Sequence, residues 1–404
     1  MNSFDEELNQ RLVALREQNL FRELRRVDSA QGPRIEIGGK TFLNFSSNDY
    51  LGLANHPALK AAAIKAVEKF GAGTGASRLI CGSLAPFHEL EETLAAFKKT
   101  EAALTFSTGY AAALGTITAL VGKDDIIILD KLVHACIVDA AKLSGAKLRV
   151  FDHNDLNDLE KILKWAAEVQ SLKSKAQSHP RTLVVTESIF SMDGDAAPLR
   201  QIVALKEKYG AWLMLDEAHA TGLYGENRRG LTEEFGVSKR IEIQMGTLGK
   251  AIGASGGYIC GSRALIDFLV NRARSFIFST APVPAAAAAA TAGIKLIESE
   301  AGRTACKRVW MLVDEMKRAV QTSGLESVIV RGAITPYMIG DEVRAIQLFH
   351  KLFESGVFVP AIRFPTVAKG KARLRFTVTA RHDFLEVWSA IKFLHEASAK
   401  ISNE

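Results

Sequence analysis

The sequence predicts an α/β protein in which a large domain, built on a mostly parallel seven-stranded sheet, is followed by a small C-terminal α+β domain. Two observations predict this fold. From about residue 100 to residue 260, short apolar runs alternate with longer helical runs, as in a parallel sheet with helices on both faces. After an alanine-rich helix that begins at Pro284 this alternation ends, and 404 residues are too many for one small core.

The chain begins with a predicted N-terminal helix and arm, residues 1–50. Within residues 1–26, Phe4, Leu8, Leu12 and Leu15 recur at helical spacing and form one apolar face among charged residues. We therefore expect this helix to pack against the rest of the chain.

The large domain is assigned to residues 51–289. Its strands are predicted at residues 102–106, 125–129, 147–151, 182–186, 212–215, 241–245 and 257–260. Helices are predicted between most of them, at residues 111–120, 135–143, 156–169 and 199–209. The polar segment 171–180, rich in lysine and serine, is interpreted as a surface insertion.

The small domain is assigned to residues 290–404. Strands are predicted at residues 328–331, 336–339 and 373–378, and helices at residues 343–355 and 384–397. This mixture is typical of an α+β domain.

Composition and charge exclude several classes of protein. The net charge of +6 is spread along the chain, so we expect no nucleic-acid partner. The four cysteines lie far apart with no CxxC pair, so we expect neither a metal site nor disulfides. No apolar run reaches the ~18 residues of a membrane helix, and the N-terminus lacks the pattern of a signal peptide. We therefore expect a cytoplasmic protein that does not bind membranes.

Lys250 lies in a glycine-flanked turn after a predicted strand, residues 246–250 (GTLGK). Glycines let the backbone approach a ligand closely, and a desolvated lysine readily becomes a nucleophile. A phosphate-binding GxxxxGK[ST] loop would need glycine at Gln244 and serine or threonine at Ala251, so that alternative fails at both ends. The pattern favours a lysine that forms a Schiff base.

Asp216 ends an apolar strand and begins the sequence 216–219 (DEAH). A carboxylate at the carboxyl end of a parallel strand lies where α/β sheets bind ligands. Pyridoxal phosphate needs such an acid beside its ring nitrogen, and His219 lies within reach of the same ligand. A buried structural acid pair is the alternative, and the four letters alone do not decide between the two.

Two further turns join a strand to a helix. The first, residues 106–110 (FSTGY), places backbone amides where a phosphate binds well. The second contains His134. The glycine-rich run 71–76 formally fits a dinucleotide-binding fingerprint, but it follows a helical run where that fingerprint needs a strand, so we reject it.

Together these segments resemble the α-oxoamine synthases, a family of fold-type-I pyridoxal-phosphate enzymes. The resemblance runs from about Arg22 to His382. It is carried in order by residues 44–53, 75–79, 190–195, 216–222, 246–250 and 372–379. Each segment alone is a weak signal, whereas six in the right order are specific.

The resemblance implies that the cofactor is pyridoxal phosphate. Lys250 would bind it covalently and remove the Cα proton of the substrate. Asp216 would pair with the ring nitrogen, His219 and Ser191 would lie near the phenolic oxygen, and His134 would stack on the ring.

The resemblance also implies a phosphate site and a homodimer. Backbone amides of Gly109 and Tyr110 and the hydroxyl of Thr247 would hold the phosphate. Ser279 and Thr280 would reach it from the neighbouring subunit, so that two subunits share each active site.

The substrates implied are an amino acid and an acyl thioester. Arg375 and Asn48 would hold the carboxylate of the amino acid, and Arg22 and Thr366 would contact substrate. The implied reaction is a decarboxylative condensation that releases a free thiol. The resemblance at residues 75–79, 153–155 and 362–375 favours L-alanine and a pimeloyl thioester. It leaves open whether coenzyme A or a carrier protein holds the acyl chain.

The sequence departs from the family pattern at three positions. Val133 stands where a polar residue commonly precedes the histidine, Cys136 replaces a usual serine, and Phe364 replaces the first proline of an Arg-Pro-Pro-Thr sequence. None of these changes removes a group that the reaction needs, although Phe364 lies in a loop that borders substrate in the family.

Three alternatives remain open at this point. The first is a sister enzyme with the same chemistry, such as one that joins glycine and an acetyl thioester. The second is an aminotransferase or lyase of the same fold. The third is a cofactor-binding subunit without activity, which Lys250, Asp216 and His134 argue against.

Overall fold

A computed structural model describes residues 3–173 and 180–402. Its strands are β1 (Arg34–Ile37), β2 (Lys40–Asn44), β3 (Ala102–Phe106), β4 (Ile126–Asp130), β5 (Lys147–Phe151), β6 (Thr182–Glu187), β7 (Trp212–Asp216), β8 (Ile243–Thr247), β9 (Gly257–Gly261), β10 (Ile334–Gly340), β11 (Val357–Phe358), β12 (Ala361–Ile362) and β13 (Ala372–Thr377). Its helices are α1 (Ser3–Glu17), α2 (Pro57–Phe70), α3 (Ala85–Lys98), α4 (Gly109–Leu120), α5 (Ala135–Ser144), α6 (Leu156–Lys173), α7 (Leu199–Lys208), α8 (Leu231–Glu234), α9 (Arg263–Arg272), α10 (Arg274–Ile277), α11 (Pro284–Glu298), α12 (Glu300–Thr322), α13 (Glu342–Glu354) and α14 (Phe384–Ser402).

The described residues form two compact units. One comprises residues 49–191 and 195–307, and the other comprises residues 1–48, 192–194 and 308–404. The sequence analysis divides the chain instead into segments 1–50, 51–289 and 290–404. The difference at residue 290 arises because α11 packs extensively on α2 and α3, which belong to the larger unit.

The larger unit is built on a seven-stranded sheet with the order β3-β9-β8-β7-β6-β4-β5. Strand β9 is antiparallel to both of its neighbours, and the other neighbouring pairs are parallel. The fold class predicted from the sequence is therefore confirmed.

Several strands of this sheet are easy to predict from the sequence because they are fully buried. Every residue of β4 and β6 is buried, and both are rich in isoleucine, leucine and valine. Such continuous apolar runs are typical of parallel strands covered on both faces. Helices α4 and α5 supply much of the core on one face, including Ile117 and Ile137.

The smaller unit contains two three-stranded sheets, β1-β2-β11 and β10-β13-β12. β13 lies at the centre of its sheet and all of its residues are buried. The sequence analysis did not predict β1, β2, β11 or β12. β11 and β12 have two residues each, and β1 and β2 lie outside the regular alternation of strands and helices that begins near residue 100.

Two predictions about this unit are wrong. The N-terminal helix ends at Glu17 rather than near residue 26, and none of its residues is buried among the described residues. Its apolar stripe is narrow, and local pairs such as Glu7–Arg11 support the helix instead. The strand predicted at 328–331 is reduced to one bridge between Val328 and Tyr337.

The predicted insertion 171–180 falls largely outside the described residues. Up to Lys173 the chain continues helix α6, four residues beyond the predicted end of that helix. Among the described residues, no helix is long and apolar enough to cross a membrane.

Candidate active site

The carboxyl ends of β3, β4, β6, β7 and β8 meet at one edge of the seven-stranded sheet. In register, Glu187 at the end of β6 lies beside Asp216, which in turn lies beside Met245. Ligands of α/β sheets bind outside the carboxyl ends of the strands. Most residues that the sequence analysis selected for the cofactor follow these strands.

Lys250 follows β8, and its amine lies 2.7 Å from Nε2 of His219, which follows β7. The other ring nitrogen of His219 lies 2.6 Å from the hydroxyl of Tyr50. His219 and Tyr50 are buried, with 5% and 0% of their surface exposed. The structure therefore places an amine against a buried imidazole, an arrangement that can hold or move a proton at Nζ.

Asp216 is buried, and its Oδ1 accepts a hydrogen bond from the backbone N–H of Ala218 at 2.8 Å. Burial raises the pKa of this carboxyl, while the nearby charge of Lys250 opposes that rise. An acid in such surroundings can share a proton with a basic nitrogen of a ligand.

Glu187 lies at the same sheet edge, beside Asp216, and the sequence analysis did not select it. Its carboxylate accepts a hydrogen bond from the backbone N–H of His134 at 2.6 Å and another from that of Ser191. Burial, together with the neighbouring Asp216, raises the pKa of Glu187 to about 8. The signal in the sequence was an acid at the end of the strand 182–187, whose middle residues are apolar, which is similar to the signal that identified Asp216.

His134 precedes α5 and caps it. Its Nδ1 accepts a hydrogen bond from the backbone N–H of Cys136 at 3.2 Å and lies 3.0 Å from the Cys136 thiol. Nδ1 is therefore the acceptor nitrogen, and the ring proton lies on Nε2. Burial lowers the pKa of His134, so the ring is neutral. Cys136, which departs from the family pattern, helps to hold the ring through its backbone N–H and its thiol.

The amino end of α4 is built closely against the start of β9. Thr108 caps the helix by accepting from Ala111 N–H at 3.0 Å, which leaves the first-turn amides of Gly109 and Tyr110 directed beyond the helix end. A Cβ on Gly257 would lie 2.6 Å from the Gly109 nitrogen, so only glycine permits this approach. Thr247 is adjacent, with its β-carbon 3.7 Å from the position of a Cβ on Gly109. Amides and a hydroxyl so arranged suit a phosphate.

Ser191 and the pair Ser279–Thr280 complete the predicted cofactor residues. Ser191 is buried in the turn after β6. Ser279 is partly buried and Thr280 is exposed, in a segment that follows α10. The structure thus places Ser191 with Glu187 at the sheet edge, whereas Thr280 faces away from the interior of the chain.

The predicted substrate residues lie in the smaller unit and form two pairs. The buried guanidinium of Arg375 donates to Asn48 Oδ1 at 3.1 Å and to Thr377 Oγ1 at 3.0 Å. Arg22 donates to Thr366 Oγ1 at 3.1 Å. Guanidinium groups are well suited to carboxylate ligands.

The chemistry of the larger unit fits pyridoxal phosphate. This cofactor requires an amine for covalent attachment, an acid for the ring nitrogen and a site for a phosphate. Lys250, Asp216 and the amino end of α4 supply these three groups at one sheet edge. The described residues contain no cluster of side chains suited to a metal ion.

Comparisons with known proteins agree with this fit. Residues 40–394 match the model of the family described as aminotransferase class I and II. The chain is 45% identical to an 8-amino-7-oxononanoate synthase of Geobacter sulfurreducens, covering 97% of each chain. It is 42% identical to an enzyme of the same name from Thermoanaerobacter pseudethanolicus, covering 98% of this chain and 97% of the other.

A solved structure is similar over the whole chain. It is a serine palmitoyltransferase from S. paucimobilis with bound pyridoxal phosphate and myriocin, at a TM-score of 0.89 and 28% identity, covering 100% of this chain and 99% of the other. The chain therefore belongs to the aminotransferase class I and II family and, within it, to the α-oxoamine synthases. Pyridoxal phosphate is the cofactor of this class. The relatives that share 41–45% of its sequence carry the name 8-amino-7-oxononanoate synthase.

Proposed function

We propose that the protein condenses L-alanine with a pimeloyl thioester to give 8-amino-7-oxononanoate, carbon dioxide and a free thiol, a step of biotin synthesis. The observation that carries this proposal is the contact between Lys250 and His219 beside the buried Asp216. The names of the full-length relatives supply the choice of substrates.

When bound, pyridoxal phosphate supplies a ring that accepts electrons from the Cα of an amino acid. Lys250 would hold the cofactor covalently, and its amine would serve as the base that takes the proton from Cα. Asp216 keeps a proton on the ring nitrogen, and neutral His134 offers a flat face for stacking.

The amino end of α4 and Thr247 bind the phosphate, while His219 and Ser191 orient the cofactor at its phenolic oxygen. These groups follow different strands of one sheet, so the sheet fixes their mutual positions. Preorganised donors of this kind lower the barrier without rearrangement during the reaction.

Arg375 and Asn48 hold the carboxylate of the amino acid, and Arg22 and Thr366 contact the acyl substrate. The 3.1 Å hydrogen bond from Arg375 to Asn48 supports a shared role in binding the carboxylate, because it orients the guanidinium. An ordered guanidinium loses less entropy on binding a carboxylate than a mobile one.

We further propose that the protein is a cytoplasmic homodimer in which Ser279 and Thr280 serve the partner's site. Exposed apolar side chains support the proposal. Phe278 directly precedes this segment and is 71% exposed. Ile80 is 80% exposed and lies four residues after Ala76, whose carbonyl accepts a hydrogen bond from Ala281 N–H at 3.1 Å. Large exposed apolar side chains close together are typical of interaction surfaces.

The test is release of carbon dioxide from purified protein given one amino acid and one thioester at a time. We expect L-alanine with a pimeloyl thioester to react fastest. Glycine with acetyl-coenzyme A should be at least ~10-fold slower in kcat/KM, the low end of discrimination by one methyl group. If the glycine and acetyl pair reacts faster, the biotin assignment is wrong while the family assignment stands.

The role of Lys250 is tested separately. Borohydride treatment of the yellow, cofactor-loaded protein should fix the cofactor on the peptide that contains Lys250. The Lys250→Ala variant should bind the cofactor reversibly and lose turnover by several orders of magnitude, because its base is gone. A reduced adduct on another lysine would contradict the assignment.

A further inference from the structure

Tyr50 lies behind His219, on the side of the imidazole opposite Lys250. Its hydroxyl is 2.6 Å from His219 Nδ1, while His219 Nε2 is 2.7 Å from the amine of Lys250. Tyr50 is fully buried, in a segment that precedes α2. The three side chains therefore form one continuous line of hydrogen bonds.

When Lys250 is an ammonium, the chemistry of the groups fixes the direction of these bonds. A lysine ammonium has donors only, so Nε2 of His219 must be the acceptor. A neutral imidazole then carries its single proton on Nδ1 and donates it to the oxygen of Tyr50. A charged imidazolium is excluded at this distance, because two donors would face each other.

We propose that Tyr50 is a positioning residue that accepts the Nδ1 proton of His219 and so keeps Nε2 an acceptor aimed at Lys250. The consequence is a stabilised ammonium on Lys250, the form that this lysine takes after it has removed a proton. The consequence for turnover rests on the proposed function, whereas the consequence for Lys250 in the cofactor-free protein does not.

Removal of the Tyr50 hydroxyl changes which ring nitrogen of His219 preferentially carries the proton. In Tyr50→Phe the Nδ1–H of His219 would lose the hydroxyl that lies 2.6 Å away, and the loss of a hydrogen bond by a buried donor is costly. The ring avoids this cost by moving its proton to Nε2, which then cannot accept from the Lys250 ammonium. The variant therefore disfavours the ammonium form.

Other charged groups also face Lys250, and they must be constant in the comparison. Asp216, Glu187, His134 and Cys136 all interact with it electrostatically. None of them is altered in Tyr50→Phe. A difference in the labelling of Lys250 between the two proteins is therefore due to the hydrogen bond between Tyr50 and His219.

The experiment is competitive labelling of the full-length protein, freed of cofactor, with trace acetic anhydride between pH 6 and pH 11. The peptide that contains Lys250 is quantified against the exposed Lys40. We expect the labelling midpoint of Lys250 to fall by about one to two pH units in Tyr50→Phe, the range expected for one hydrogen bond to a charged group.

Tyr258→Phe is the matched control. Tyr258 is equally buried, and its hydroxyl contacts Thr221 at 3.1 Å rather than His219. This variant should leave the midpoint of Lys250 unchanged. In a His219→Gln background, Tyr50→Phe should add no further change, because the connecting ring is absent.

An unchanged midpoint in folded Tyr50→Phe overturns the inference, whatever happens to activity. Should Tyr50→Phe not fold, 4-fluorophenylalanine at position 50 keeps the shape of the ring and replaces the hydroxyl by a much weaker acceptor that cannot ionise, so the midpoint should again fall. The labelling uses neither cofactor nor substrate. A failure of L-alanine turnover would therefore contradict the proposed function and leave this test intact.

Discussion

At the residue scale, Glu187 and Asp216 show how burial raises the pKa of two neighbouring carboxyl groups. They are register partners on adjacent strands and both are buried. Two like charges so close together cannot both form cheaply, and Glu187, with its pKa raised to about 8, takes the proton. At Asp216 the nearby charge of Lys250 opposes the rise in pKa that burial causes.

The first prediction concerns Asp216. Asp216→Asn removes the carboxylate that would keep a proton on the ring nitrogen. Turnover should therefore fall on the order of 10²–10⁴-fold, as it does when a side chain positioned for proton transfer is removed. Cofactor binding should persist and is measured by visible absorbance. Near-normal turnover would mean that another acid performs this task.

The second prediction concerns Glu187. Because Glu187 is mostly protonated at pH 7, Glu187→Gln is a close mimic whose oxygen still accepts from His134 N–H. We expect kcat/KM at pH 7 to stay within about threefold of the unaltered protein. Glu187→Ala leaves that buried amide unsatisfied and should cost ~10-fold or more. Equal damage from both changes would show that the ionised carboxylate itself is required.

At the scale of elements, His153 joins the end of β4 to the turn that follows β6. Its ring nitrogens lie 2.9 Å from Asp130 Oδ1 and 2.8 Å from Asp195 Oδ2, and its ring packs edge-on against Phe190. Burial alone would lower the pKa of His153, but the hydrogen bonds to the two aspartates together raise it to about 9. The turn that carries Ser191 is thus held by a charged histidine.

The third prediction follows from the sign of this shift. A base with a raised pKa stabilises the fold fully below its unfolded pKa of ~6.5, and this stabilisation is lost as the pH rises through about 9. With allowance for partial solvent exposure, we expect a loss of about 1–2 kcal/mol in the free energy of unfolding.

His153→Gln, which cannot ionise, is the reference for this measurement. The difference in unfolding free energy between the two proteins should shrink from pH 6.5 to pH 9.5, as measured by urea denaturation. A constant difference across this range would mean that His153 contributes by packing and not by charge.

At the scale of the whole molecule, the proposed homodimer predicts that inactive variants complement one another. Lys250→Ala and Thr280→Asp each damage a different half of a shared site, the latter by repelling the phosphate. A hybrid dimer then contains one intact site. Random mixing should restore about one quarter of full activity, since half of the dimers are hybrids with one of two sites intact.

The control is a mixture of Lys250→Ala with Asp216→Asn. These two residues lie in the same unit of one chain, so every site in a hybrid carries one defect and no activity should return. Persistent inactivity of the first mixture, with heterodimers demonstrated by mass spectrometry, would show that each chain builds its own site.

The sequence by itself determined the strands of the large sheet and the chemistry at their ends. Parallel strands covered on both faces appear as unbroken apolar runs, so a polar residue such as Asp216 at the end of one is conspicuous. Lys250 and the turn before α4 were found in the same way, and His134 by its place between a strand and a helix.

Only the tertiary structure decided which of these groups meet and what state each takes. Tyr50 and His219 are 169 positions apart, and no local pattern encodes their contact. The short strands β1 and β2, the exposed face of α1 and the charge of Glu187 depend likewise on neighbours distant in sequence. The physical reason is that period and propensity are local properties, whereas burial, hydrogen-bond partners and proton affinity are set by packing.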